Sequence, residues 1–129
     1  MSTLTNMHGQ NKTILIVDDA PLIIKWLESM LKGFTTVDSV HTAGSYQEAV
    51  LILSSFRPDI VLLDINLPDI NGIELLRHIK KMDPSKTVIM VTNQSGEFYR
   101  ARCKELGADY FVDKSAEFDY LPEIFSSLL

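Results

Sequence analysis

Cysteine is nearly absent from this sequence of 129 residues, in which Cys103 is the single example. One cysteine forms neither an internal disulfide nor a cysteine-rich zinc site, and its scarcity is typical of a reducing compartment. No apolar stretch approaches the roughly 18 residues that a membrane-spanning helix needs. Residues 1–13 also lack the basic start and apolar run of a signal peptide. We therefore expect a cytoplasmic protein without membrane contact.

Basic residues are in the minority, with 12 Lys and Arg against 17 Asp and Glu and a net charge of −5. This balance disfavours direct binding of nucleic acid, because phosphates repel an acidic surface. Hydrophobic residues make up 46% of the chain, which excludes a disordered protein. Residues 1–12 are polar and predict a flexible N-terminal tail. Residues 13–129 are predicted to form one domain.

Five short apolar runs alternate with amphipathic stretches, which is the pattern of βα units around a parallel sheet. The runs predict strands at Thr13–Val17, Val37–Ala43, Ile60–Leu63, Thr87–Val91 and Tyr110–Val112. The stretches predict helices at Pro21–Leu31, from the capping box Ser45-Tyr46-Gln47-Glu48 to Phe56, and at Gly72–Met82, Glu97–Leu106 and Tyr120–Leu129. The predicted fold is a doubly wound α/β sandwich with five parallel strands and five helices.

Chemically capable side chains follow the predicted strands directly: Asp18 and Asp19, Asp64, Thr92 and Lys114. In doubly wound sheets, ligands bind at the carboxyl ends of the strands. Each aspartate alone would more often cap the following helix than bind a ligand. Three carboxylates crowded at one edge repel one another unless a cation lies among them, and hard oxygen ligands suit Mg²⁺. The sequence therefore predicts a divalent metal site at this edge.

Together these residues resemble the phosphoacceptor receiver domain of two-component response regulators. The resemblance rests on Asp18-Asp19, on Asp64-Ile65-Asn66-Leu67-Pro68 with Gly72, on Thr92 and on Lys114, and it extends from about Thr13 to Leu129. It implies a flavodoxin-like sheet with the strand order 2-1-3-4-5.

The resemblance also implies a role for each of these side chains. Asp64 would accept a phosphoryl group from a histidine kinase or a histidine phosphotransfer protein, and Lys114 would pair with a phosphoryl oxygen. The implied Mg²⁺ ligands are the carboxylates of Asp18, Asp19 and Asp64 and the backbone carbonyl of Asn66, with Asp18 acting largely through water.

Two further positions would form a switch. By the resemblance, the hydroxyl of Thr92 would move toward the phosphoryl group, and the ring of Phe111 would then turn inward. Phe111 is equally consistent with an ordinary core aromatic. Pro68 and Gly72 would shape the loop after Asp64, and as turn residues they need no further role.

The sequence departs from the family pattern at two positions. Asn93 follows Thr92 where a small residue is usual, which predicts restricted access to Asp64 and an altered rate of dephosphorylation. Ser115 follows Lys114 where a proline with a cis bond is usual. A cis bond before a non-proline residue costs about 3 kcal/mol, so a trans peptide is expected. Asp113 is expected to point to the opposite face of the strand from Lys114 and to be solvated.

The resemblance assigns partner contacts to the helix at 97–106, the fifth strand and the last helix, in a monomer or a weak dimer. That helix carries a basic group that suits an acidic partner, made of Tyr99, Arg100, Arg102 and Lys104. The alternative is a solvated helix face on which Glu97 and Glu105 are local charge partners.

These residues are compatible with several functions. The favoured one is a stand-alone switch, and a phosphorelay intermediate or a degenerate receiver that acts by binding alone stays open. An aspartyl-phosphate phosphatase is less favoured, because Asn66 stands where those enzymes carry a general acid, so no enzymatic turnover is expected. A mononucleotide-binding protein is disfavoured because Asp18-Asp19-Ala20-Pro21 is anionic where glycines and amides would bind phosphate.

Overall fold

Five parallel strands form one sheet in the order β2-β1-β3-β4-β5, as the resemblance implied. This is seen in a computed structural model that describes residues 11–129, so residues 1–10 of the predicted tail lie outside the described residues. The strands are β1 Lys12–Val17, β2 Val37–Ala43, β3 Ile60–Leu63, β4 Thr87–Thr92 and β5 Tyr110–Asp113. The predicted fold class is confirmed.

Within residues 11–129, four α-helices connect the strands and a fifth follows β5. They are α1 Pro21–Leu31, α2 Tyr46–Phe56, α3 Gly72–Met82, α4 Glu97–Glu105 and α5 Leu121–Leu128, with a short 3₁₀ helix at Phe118–Tyr120. Buried residues of α1 and α5 pack on one face of the sheet, and those of α2, α3 and α4 pack on the other. Among the described residues, no helix is both long enough and apolar enough to cross a membrane.

The central strands are buried on both faces, which explains their continuous apolar sequence. In β1, Ile14 and Ile16 pack toward α1 and α5, while Leu15 and Val17 pack toward the other three helices. Every residue of β3 is buried. Because neighbouring strands all run in the same direction, their carboxyl ends meet at one edge of the sheet.

The element boundaries differ from the predicted ones by one residue in several places. Strand β1 begins one residue early because the N–H of Lys12 donates to the carbonyl of Thr36 at 2.7 Å. Strands β4 and β5 each run one residue longer, because Thr92 and Asp113 still pair in register. The last helix begins one residue late, at Leu121, because the 3₁₀ helix precedes it.

The predicted capping box is present at the start of α2 in a modified form. The hydroxyl of Ser45 accepts a hydrogen bond from the N–H of Glu48 at 3.1 Å. The carboxylate of Glu48 reaches back to the N–H of Gly44 at 2.6 Å, one residue before the usual position. The helix ends at Phe56, because Arg57 has a left-handed φ of 47° and the following proline prevents continuation.

The single cysteine lies in the core. Cys103 is the fully buried residue of α4, and burial raises the pKa of its thiol to about 11. A thiol in this state is not a nucleophile at neutral pH, because the thiolate is the reactive form. Cys103 is therefore a packing residue.

Gly72 is required by a close approach between two backbones. A Cβ atom at this position would lie 1.9 Å from the carbonyl oxygen of Asp64. The N–H of Gly72 also donates to the carbonyl of Ile65 at 2.8 Å, so the first turn of α3 rests on the backbone that follows β3. The expectation that Gly72 has no role beyond a turn is therefore wrong, because no side chain fits there.

We expect Gly72→Ala to lower the free energy of unfolding by at least about 2 kcal/mol, because backbone atoms must shift to admit the methyl group. Urea denaturation followed by circular dichroism measures this change. Gly33→Ala is the matched control, because a Cβ there makes only ordinary contact, at 3.5 Å, with the carbonyl oxygen of Met30. Equal stability of the two variants would contradict the prediction.

Candidate functional site

Backbone hydrogen bonds that continue past the strand ends position the polar side chains. The N–H of Asp18 donates to the carbonyl of Ala43, and the N–H of Asp64 donates to the carbonyl of Val17, both at 3.0 Å. The N–H of Lys114 donates to the carbonyl of Thr92, also at 3.0 Å. The sheet therefore fixes the backbone of three site residues as rigidly as that of the strands themselves.

The ammonium group of Lys114 bridges two carboxylates. Its Nζ lies 2.7 Å from Oδ2 of Asp18 and 2.9 Å from Oδ2 of Asp64. All three side chains are largely buried, with exposed fractions of 9%, 3% and 5% for Lys114, Asp18 and Asp64. Charge-assisted hydrogen bonds of this length compensate in part for the cost of removing these groups from water.

Burial and charge shift the pKa values of the bridged groups. Burial raises the pKa of Asp18, and this effect outweighs the opposing contribution of the Lys114 ammonium. Burial by itself would lower the pKa of Lys114, but its hydrogen bonds to Asp18 and Asp64 raise it above the ordinary value. Lys114 is therefore charged at neutral pH.

Three carboxylates form an acidic cluster at the carboxyl edge. One oxygen from each of Asp18, Asp19 and Asp64 lies within 4.8 Å of the other two. Asp19 is exposed at the mouth of the cluster, whereas the other two are buried. One ammonium opposes three carboxylates, which leaves an excess of negative charge and a set of hard oxygen donors. The cluster therefore fits a divalent cation such as Mg²⁺.

Asn66 lies close to this cluster on the loop that follows β3. Its backbone N–H donates to Oδ1 of Asp64 at 3.2 Å, which fixes one carboxylate oxygen. Its side-chain oxygen accepts a hydrogen bond from Nε2 of Gln94 at 3.3 Å. The participation of its backbone carbonyl in metal binding stays a prediction.

Thr92 is fully buried at the end of β4, and its hydroxyl oxygen accepts a hydrogen bond from the N–H of Gln94 at 3.1 Å. Thr92 pairs with Asp113 in the sheet, and Met90 pairs with Phe111. Side chains alternate along a strand, and paired residues of parallel strands point to the same face. Thr92 and Phe111 therefore share one face of the sheet.

The ring of Phe111 is half-buried, packs against the core, and is covered by a cation. The guanidinium carbon of Arg100 lies 4.7 Å from the centre of this ring. Nη2 of Arg100 also lies 2.9 Å from Oε1 of Glu117. Sequence reasoning did not connect these residues, because no local spacing links a residue of α4 to one in the loop after β5.

The basic group on α4 is partly neutralised within the protein. Arg100 pairs with Glu117, and Arg102 pairs with Glu105 at 3.5 Å. The alternative in which Glu105 is a local charge partner is thus confirmed for Arg102. That alternative named only charge partners on α4 itself, whereas Glu117 pairs with Arg100 from the loop after β5.

The two unusual residues of the site contact each other. The hydroxyl of Ser115 donates to Oδ1 of Asn93 at 3.3 Å. Among the residues that the structure describes there is no cis peptide bond, so the expected trans bond before Ser115 is confirmed.

Asp113 is not simply solvated. It is half-buried and accepts a hydrogen bond from the N–H of Ser115 at 2.8 Å, and a hydrogen bond from Ser95 contributes most to lowering its pKa.

Comparison with known families gives one match that covers most of the chain. The profile described as response regulator receiver domain matches residues 14–126. A solved structure described as a CheY-like response regulator receiver domain protein from Methanospirillum hungatei is 30% identical, with a TM-score of 0.81. The similarity covers 92% of this chain and 94% of that one.

Curated relatives match over part of their length. The DNA-binding transcriptional activator EvgA of Escherichia coli is 34% identical over 101 residues, which are 78% of this chain and 48% of the relative. A protein-glutamate methylesterase/protein-glutamine glutaminase of Agrobacterium fabrum is 35% identical over 111 residues, which are 84% of this chain and 31% of the relative. The chain thus spans about half or less of these proteins.

We expect Asp19→Asn to weaken Mg²⁺ binding about tenfold or more, because it removes one of three negative charges from a cluster built of hard donors. Isothermal titration with Mg²⁺ measures the affinity. Asp38→Asn, which removes an exposed carboxylate from the edge strand β2, is the control for net charge. Equal losses in the two variants would show that the cluster is not the binding site.

Proposed function

Because the chain belongs to the response regulator receiver domain family, we propose that it is a phosphoacceptor switch. In this proposal Asp64 accepts a phosphoryl group from a phosphohistidine of a histidine kinase or a histidine phosphotransfer protein. The observation that carries the proposal is the buried ammonium of Lys114, held between the carboxylates of Asp18 and Asp64. A carboxylate and a cation placed side by side are what transfer to an acyl phosphate requires.

The proposed transfer follows from these positions. A carboxylate oxygen of Asp64 attacks phosphorus, a P–O bond forms, and the P–N bond to the donor imidazole breaks. Lys114 then donates to a phosphoryl oxygen in place of Oδ2 of Asp64. Asp18, Asp19, Asp64 and the carbonyl of Asn66 would hold Mg²⁺, which when bound supplies positive charge against the transferring oxygens.

Thr92 and Phe111 transmit the change in this proposal. Thr92 lies at the end of β4, and its carbonyl accepts a hydrogen bond from the N–H of Lys114. Its side chain lies on the same face of the sheet as Phe111. A phosphoryl group on Asp64 offers the hydroxyl a charged acceptor, and a displacement of Thr92 changes the space beside the ring. The result is a shift between two arrangements of one domain.

We propose that the output is a change in protein contacts at α4, β5 and α5. The relatives carry further regions beyond the matched part, and they are a transcriptional activator and a methylesterase/glutaminase. We propose that this chain acts as a stand-alone regulatory domain that catalyses only its own phosphorylation and dephosphorylation. It would act as a monomer or a weak dimer.

The proposal is tested by intact-mass spectrometry after incubation with Mg²⁺ and acetyl phosphate. We expect wild-type protein to gain the mass of one phosphoryl group and Asp64→Asn to gain none. Asp38→Asn, which removes an exposed carboxylate away from the site, is expected to be phosphorylated like wild type. A folded wild-type protein that gains no mass would contradict phosphorylation and favour a degenerate receiver that acts by binding alone.

We expect Asn93→Ala to shorten the lifetime of the acyl phosphate several-fold, because it removes bulk beside Thr92 and opens a path for water. Decay of the phosphorylated mass after removal of the donor measures this lifetime. Ser115→Ala separates two causes, because it deletes the hydrogen bond to Asn93 but keeps the bulk of that side chain. An unchanged lifetime in Asn93→Ala would contradict restricted access.

A further inference from the structure

A charged pair covers the ring of Phe111 on the surface between α4 and β5. The guanidinium of Arg100 lies over the ring, with 4.7 Å between its carbon and the ring centre. The same guanidinium donates to Oε1 of Glu117 at 2.9 Å. Ring, cation and carboxylate are therefore connected in series, and the cation contacts both of the others. We call Arg100 and Glu117 the clamp.

The clamp is anchored at both ends. Arg100 lies on α4, where its N–H donates to the carbonyl of Gly96 at 3.0 Å. Oε1 of Glu117 also accepts a hydrogen bond from the N–H of Asp113, the last residue of β5, at 3.0 Å. The N–H of Glu117 donates in turn to the carbonyl of Asp113 at 2.8 Å. The clamp thus connects a helix to the strand that carries Phe111.

Glu117 is suited to hold a permanent charge. The hydrogen bond from the N–H of Asp113 is the largest cause that lowers its pKa, followed by the hydrogen bond from Arg100. The pair therefore stays ionised at neutral pH. A carboxylate that already holds the guanidinium in place has ordered the arginine side chain. The cation–π contact with the ring therefore costs little further side-chain entropy.

The clamp contacts a ring that lies on the same side of the sheet as Thr92. Both side chains point to the same face, and their strands are neighbours. A ring that moved toward Thr92 would leave the guanidinium, because α4 and Glu117 hold that cation in place. In such a movement the contact between Arg100 and Phe111, present in this structure, would be lost.

We propose that Arg100 and Glu117 are positioning residues that hold Phe111 in its half-buried place and so oppose phosphorylation of Asp64. This inference rests on the proposed function. Coupling between two sites is reciprocal, so a ligand at Asp64 that draws the ring inward loosens the clamp, and loss of the clamp strengthens binding of that ligand.

The chain offers a matched control on the same helix. Arg102 pairs with Glu105 at 3.5 Å, and its exposed fraction of 38% is close to the 41% of Arg100. Arg102 has no cation–π contact among the described residues, whereas Arg100 has one. Arg100→Gln and Arg102→Gln each remove one positive charge from α4. Only Arg100→Gln also removes the cation–π contact with Phe111.

The test is a titration of the full chain with beryllium fluoride in the presence of Mg²⁺, followed by NMR. Beryllium fluoride is a mimic of the phosphoryl group on an aspartate. We expect Arg100→Gln to bind it about fivefold more tightly than wild type, which corresponds to loss of one exposed cation–π contact. Glu117→Gln is expected to shift the affinity in the same direction, and Arg102→Gln to stay within about twofold of wild type. Equal affinity of Arg100→Gln and wild type would overturn the proposal.

A second readout separates this inference from the proposed function. In the free protein, we expect magnetisation transfer between the ring protons of Phe111 and the side chain of Arg100, and a changed ring environment in Arg100→Gln but not in Arg102→Gln. If wild type fails to bind beryllium fluoride, the proposed function fails, and the ring spectra alone decide whether the clamp exists. If Arg100→Gln does not fold, Glu117→Gln carries the same test. Ring spectra that are identical in all variants would overturn the clamp.

Discussion

The ion bridge from Lys114 to Asp18 and Asp64 is the interaction on which the rest of the site depends. It joins the ends of β1, β3 and β5, which are not all neighbours in the sheet, and it lies where water has little access. Two buried carboxylates close to a third would repel without it. The bridge therefore holds together a cluster whose remaining negative charge is available for a metal ion.

The loop after β3 is the part of the site that is fixed by contacts from outside the sheet. The first turn of α3 lies on the backbone of Asp64, where a side chain at Gly72 finds no room. The carboxylate of Asp69 accepts hydrogen bonds from the N–H groups of Tyr46 and Gln47 at 2.9 and 3.0 Å, which connects the loop to the start of α2. The loop that carries Asp64 away from β3 is thus supported by two helices, α2 and α3.

The two residues that depart from the family pattern lie together at the mouth of the site. Asn93 and Ser115 come from different strand ends, and a hydrogen bond joins them. Gln94 likewise reaches across to Asn66 on the opposite loop. The two side chains that directly follow β4 therefore contact both neighbouring loops, the one after β3 and the one after β5.

The sequence by itself determined the fold class, and through the family resemblance it implied the strand order and the roles of the site residues. Continuous apolar runs such as Ile60–Leu63 predict buried parallel strands. The carboxyl ends of parallel strands lie at one edge of the sheet, so Asp18, Asp64 and Lys114 meet there independently of how the helices pack. Local periodicity also predicted most helix limits. Only the tertiary structure decided that Gly72 touches a backbone and that Arg100 covers Phe111 and meets Glu117. Such contacts depend on how closely separate elements approach and where long side chains point, and residue spacing along the chain contains neither.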